Sequence, residues 1–100
     1  MRAERLEQVF VGRRGGRIEL RLVLESASGA RTRTTLLAPG AAVDEAVRWA
    51  GRALARAGEV RDVERVRLRV ERGGVLVDDA GLAHGLVAAF RAELGSEDGV

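Results

Sequence analysis

The sequence contains no cysteine, lysine, asparagine or tyrosine. Without cysteine there is no disulfide framework, no thiolate metal site and no thiol nucleophile. Aromatic residues are limited to Phe10, Trp49 and Phe90, so a core must come mainly from Val, Leu and Ala. Proline occurs once, at Pro39, and histidine once, at His84. No apolar run approaches the ~20 residues of a membrane-spanning helix. The opening residues, MRAERLEQVFV, lack the apolar centre of a secretory signal. A cytoplasmic protein with no membrane partner is the expectation.

What the chain has in abundance is arginine. All 17 residues in the Lys and Arg class are Arg, against 15 acids, for a formal net charge of +2. Abundant arginine beside missing lysine and asparagine, with Ile18 the single isoleucine, is the composition of a GC-rich, bacterial genome. The arginine count alone is therefore poor evidence for nucleic-acid binding. Its distribution says more. Residues 1–38 hold eight arginines against four acids, residues 39–74 eight against six, and residues 75–100 only Arg91 against five. Such polarity suits self-complementary pairing or an anionic partner at one end.

At 100 residues, 46% hydrophobic and 32% charged, the chain is a single globular domain large enough for one modest core. We place that domain at residues 1–95, with a disordered tail at 96–100. Residues 6–11 are apolar-rich and read as a first strand, after a frayed start. The glycines and arginines of 12–16 form a turn. Residues 17–25 alternate, with Ile18, Leu20, Leu22 and Leu24 on one face, which marks a half-buried strand. A turn at 26–29 leads to a third strand at 31–37, where threonine favours β structure. Pro39-Gly40 ends the meander.

The clearest helical signal follows at residues 41–58. Val43, Ala46, Val47, Ala50, Leu54 and Ala57 recur at spacings of three and four. Asp44 and Glu45 favour the first turn, and Gly58 fits the end. Gly51 costs about 1 kcal/mol against alanine in mid-helix, so it is either tolerated or closely packed against something. After a short polar connection at 59–62, residues 63–72 alternate as a strand. Gly73-Gly74 reads as a two-residue hairpin, residues 75–77 as a return strand, and residues 80–94 as a second helix capped by Asp78 or Asp79. The expected fold class is α+β, in the order β-β-β-α-β-β-α. A mostly antiparallel sheet should carry both helices on one face, because each helix has one apolar stripe.

Residues 34–51, TTLLAPGAAVDEAVRWAG, resemble the strand–loop–helix entry of ubiquitin-like β-grasp domains, and residues 67–82 resemble their second hairpin. The resemblance implies a β-grasp-like topology as the alternative. The chain departs from it in two ways. It has a helix where a β-grasp has a strand, and it closes on Asp98-Gly99-Val100 rather than the double glycine of sulfur-carrier members.

No constellation points to catalysis or to a cofactor. His84 has no second histidine or cysteine to complete a metal set. Asp78 and Asp79 suit helix capping better than acid–base work. The serines lack the strand–turn–helix elbow of a nucleophile. The glycines at 12–16 lack the following helix of a phosphate loop. What remains is Trp49 among Arg48, Arg52 and Arg56, a rim aromatic beside a row of like charges. That arrangement suits an interface anchor or base stacking with phosphate contacts. Arg65, Arg67 and Arg69 add a second basic row on the open sheet face. The expectation is a small non-enzymatic binding domain with a protein partner or a second copy of itself as a homodimer. The alternative is a nucleic-acid binder using the Arg/Trp surface.

Overall fold

The computed structural model describes residues 2–98. The strands are β1 (Ala3–Arg14), β2 (Arg17–Glu25) and β3 (Arg31–Leu37), then β4 (Val60–Asp62), β5 (Arg67–Arg72) and β6 (Val75–Asp78). The helices are α1 (Val43–Ala57), between β3 and β4, and α2 (Ala80–Asp98), after β6. The class is α+β, and three of the strand pairings are antiparallel. The six-stranded sheet runs β3-β2-β1-β5-β6, with β4 pairing the start of β1. β1 is parallel to both β4 and β5. After the β5–β6 hairpin the chain enters α2, not the further strand that a β-grasp would place there.

Several boundaries differ from the sequence reading, each for a local reason. β1 is longer at both ends than residues 6–11. Its start is ordered by β4, read from sequence as a polar connection: Ala3 pairs with Val60 and Arg5 with Asp62. Its end continues through residues 12–14, because Arg14 pairs directly with Arg17. The turn is then only Gly15-Gly16, with φ of 57° and 79°. Positive φ at both central positions is the geometry that two-residue hairpins need and glycine adopts without strain. Residues 63–66 are a turn rather than strand. Val66 N–H donates to the Val63 carbonyl at 3.2 Å, and Glu64 N–H to Asp62 Oδ1 at 2.8 Å. α2 does not stop at Gly95 but continues to Asp98. Of the tail expected at 96–100, residues 99 and 100 lie outside the described residues.

The core forms on one face of the sheet. Alternation turns Val9 and Val11 of β1, Ile18, Leu20, Leu22 and Leu24 of β2, and Leu68 and Val70 of β5 to the same side, where all are buried. α1 contributes Ala46, Val47, Ala50 and Leu54, and α2 contributes Leu86, Val87 and Phe90. Both helices therefore cover the same face, each through its single stripe. They meet at Gly51. A Cβ added there would lie 2.5 Å from the Leu86 carbonyl oxygen and 3.2 Å from the Phe90 nitrogen. The mid-helix glycine is a close-approach residue, and it brings the two backbones together at the helix crossing.

Candidate binding surface on the open sheet face

The side chains that do not point to the core stand on a sheet face that neither helix covers. Because Val9 and Val11 turn inward, Gln8 and Phe10 turn outward. By the same parity Arg21 and Val23 of β2, and Arg67 and Arg69 of β5, face outward too. Strand register then lines these residues up. One row runs Thr35, Arg21, Phe10, Arg69, Asp78 across five strands. The next runs Arg33, Val23, Gln8, Arg67. A bulge at Glu7, between the pairs Leu6–Leu24 and Gln8–Val23, shifts the register of β1, and Phe10 stands mid-sheet because β1 is the central strand.

Phe10 sits between two guanidinium groups. The Arg21 guanidinium carbon is 5.7 Å from the ring centroid, and that of Arg69 is 5.3 Å away. Each such contact contributes about 0.5–1 kcal/mol where water has access. Arg69 also donates to Gln8 Oε1 at 3.3 Å, and its Nε lies 3.8 Å from Asp78 Oδ1. That Nε is buried and finds no hydrogen-bond partner among the described residues. Arg67 forks onto Asp78, Nε to Oδ1 at 2.9 Å and NH2 to Oδ2 at 3.2 Å. This hydrogen-bonded pairing holds the Asp78 carboxyl below its ordinary range and the Arg67 guanidinium above its own.

The charge on this face is uneven. On the β5–β6 side the arginines are answered by Asp78. On the β2–β3 side Arg31 reaches Glu7 at 3.0 Å, but Arg21 and Arg33 form no ion pair among the described residues. A concavity of about 470 Å³ opens over this face, from the arginines of β2 and β3 across to Leu76 of β6. Gln8, Phe10, Arg21, Arg31, Arg33 and Thr35 are among its walls, and none of its lining residues is acidic. The hollow thus combines an aromatic floor, guanidinium donors, a hydroxyl and a carboxamide. Such groups suit a planar ring that carries an anion.

The residues singled out from sequence fall into two separate places. Arg67 and Arg69 belong to the open face. Arg65 does not, since it lies in the turn before β5. Arg48, Trp49, Arg52 and Arg56 lie on α1, on the other side of the sheet. Trp49 is half-buried and packs against the core cluster. Two arginines of the row, Arg48 and Arg56, are exposed and have neighbours on α2. Arg48 lies beside Gly85 and pairs with Asp44 at 3.5 Å. Arg56 reaches Glu93 of α2 at 3.2 Å. The row is thus partly neutralised by its helix neighbours. Phe10, Arg21, Arg31 and Arg33 were missed. The signal was present in strand parity: once Val9 and Val11 are core, Phe10 must be outside.

A larger hollow of about 520 Å³ lies between β5, β6 and α2, with His84 on its rim. Its charges are answered internally, because Arg67 pairs with Asp78 and Arg91 with Glu64. Asp79 is occupied as the cap of α2. Its Oδ1 accepts the Leu82 N–H at 3.0 Å and its Oδ2 accepts Arg72 at 3.0 Å. The cap bond, with Arg72 adding to it, pulls its carboxyl below the ordinary range. Ser26 and Ser28 bond one another at 2.9 Å. Comparison with protein-family models, with curated proteins and with solved structures finds no match.

Proposed function

We propose that this chain is a non-enzymatic binding domain whose open sheet face holds single-stranded nucleic acid. The observation that carries the reading is the acid-free concavity beside Phe10, where Arg21 and Arg33 have no ion pair among the described residues. It depends on where the arginines stand, not on how many there are, so genome composition does not weaken it. Arg21 and Arg33 take the phosphates. Phe10 and the guanidinium planes beside it offer surfaces on which an unpaired base stacks, and such stacking is tolerant of sequence. A duplex hides its base faces and would use only the charges. This is the alternative drawn from sequence, moved from the Arg/Trp surface of α1 to the opposite side of the sheet. A cytoplasmic location accords with it.

The test is fluorescence anisotropy with labelled RNA and DNA oligonucleotides at ~50 mM salt, where electrostatic binding is strongest. Binding that weakens with salt and prefers single strands over duplex supports the reading. An absence of binding at that salt overturns it, as does undiminished binding by a folded chain carrying Arg21→Ala and Arg33→Ala.

A further inference from the structure

Of the large apolar side chains that stand exposed, three are consecutive: Val75 at 61%, Leu76 at 40% and Val77 at 40%. They form most of β6, which is an edge strand. Edge strands are normally blunted by charge, proline or a bulge, because their free N–H and C=O groups template pairing with another chain. The β3 edge is blunted in this way, by Arg31 and Arg33. The β6 edge is not, since residues 73–77 read Gly-Gly-Val-Leu-Val.

The backbone polarity of this edge follows from its neighbours. Asp79 N–H donates inward to the Leu68 carbonyl at 3.0 Å. Groups alternate along an antiparallel strand, so Val77 and Val75 also turn inward to β5, while Leu76 and Asp78 turn their N–H and C=O outward. The central residue of the apolar run therefore carries the free donor and acceptor.

We propose that a second copy of this chain pairs antiparallel with the β6 edge about a two-fold axis through Leu76. In that register Leu76 lies opposite the second copy's Leu76 and exchanges two hydrogen bonds with it. Val75 lies opposite the second copy's Val77, twice, so the exposed apolar side chains cover one another. Charge permits the same arrangement. Arg72 is paired with Asp79 of its own chain at 3.0 Å and Asp78 with Arg67 at 2.9 Å, so the β6 edge meets its copy without unanswered charge. The open face and the β3 edge, both bearing unanswered arginine, repel a second copy. Residues directly opposite in such a pair share a face, so both open faces look the same way and the two Phe10 concavities lie on one continuous sheet. The pairing is isologous. Short strands bury less than a standard interface, which makes the dimer a concentration-dependent one.

Sedimentation velocity from micromolar to millimolar protein tests this. The mass rises from 10.7 kDa towards twice that value. Leu76→Pro removes the outward N–H and leaves the inward bonds of Val75 and Val77 in place. The folded variant, checked by circular dichroism, stays at monomer mass throughout. Amide exchange on the unaltered chain gives a second readout: the Leu76 amide becomes protected only as concentration rises. Three results overturn the proposal: a wild-type mass that stays monomeric at millimolar concentration, a dimer in which the Leu76 amide exchanges at its dilute rate, or a folded Leu76→Pro chain that still dimerises like wild type.

Discussion

A Cβ placed on Gly51 would stand 2.5 Å from the carbonyl oxygen of Leu86. Carbon does not approach a backbone oxygen so closely, and neither helix can yield through a flexible side chain at that point. The crossing of α1 and α2 therefore depends on the missing methyl group. Gly51→Ala gains intrinsic helix propensity of about 1 kcal/mol, yet it forces the helices apart over Leu86, Ala89 and Phe90. The overpacking penalty, about 1–3 kcal/mol, wins where the obstruction is backbone. Thermal unfolding should show a lower Tm, by about 4–8 °C for each kcal/mol in a domain of this size. An unchanged or higher Tm would show that the helices can separate at little cost.

Asp79 couples the start of α2 to acid stability. Its carboxyl, and that of Asp78, lie below the ordinary value of 3.8 in the folded chain. Each then contributes stability that is complete above that value and is lost as pH falls through the lower folded value. Asp79→Ala removes the cap and costs about 1 kcal/mol at neutral pH. Asp79→Asn keeps an oxygen for the Leu82 N–H but not the charge facing Arg72. It should melt close to wild type at pH 7 and lose less than wild type on acidification. Melts followed by circular dichroism from pH 7 to pH 3 check the pair.

Arginine substitutions separate the two faces of the molecule. Arg21→Ala and Arg33→Ala should each weaken oligonucleotide binding and reduce the slope of log affinity against log salt by about 1. Arg52→Ala, on α1 across the sheet, should leave both unchanged. Phe10→Ala should weaken single-strand binding by about 1–3 kcal/mol while sparing the salt slope, because it removes stacking and not charge. Anisotropy titrations at several salt concentrations measure all of these.

Trp49 gives an independent check through its fluorescence. It is the one tryptophan, half-buried against the core on the helix side. Iodide should quench it less than a free tryptophan, and oligonucleotide binding on the open face should leave its emission unchanged. Direct quenching by an oligonucleotide would assign the nucleic-acid surface to α1 instead.

Apart from β4, the order and kind of the elements follow from local pattern alone. Period-two alternation in residues 17–25, threonine in residues 31–37 and the three-and-four spacing of Val43, Ala46, Val47, Ala50 and Leu54 each depend on near neighbours, and such signals survive in any context. Glycine marked the β1–β2 and β5–β6 hairpins, because two consecutive positive φ values suit almost nothing else. What tertiary structure decided was everything that needs two distant segments. β4 is too short to carry a pattern, and it is a strand only because Ala3 and Arg5 of β1 offer it partners. The arginine row of α1 looked unanswered until α2 brought Glu93 to Arg56. Gly51 was ambiguous in sequence, since close packing is a property of the neighbour as much as of the glycine. The candidate site shows the same division. That Phe10 faces outward was fixed by Val9 and Val11, but strand order alone put Arg21 on one side of it and Arg69 on the other. Sequence sets the face a side chain takes, because parity is local, whereas the company it keeps is set by the order in which strands pair.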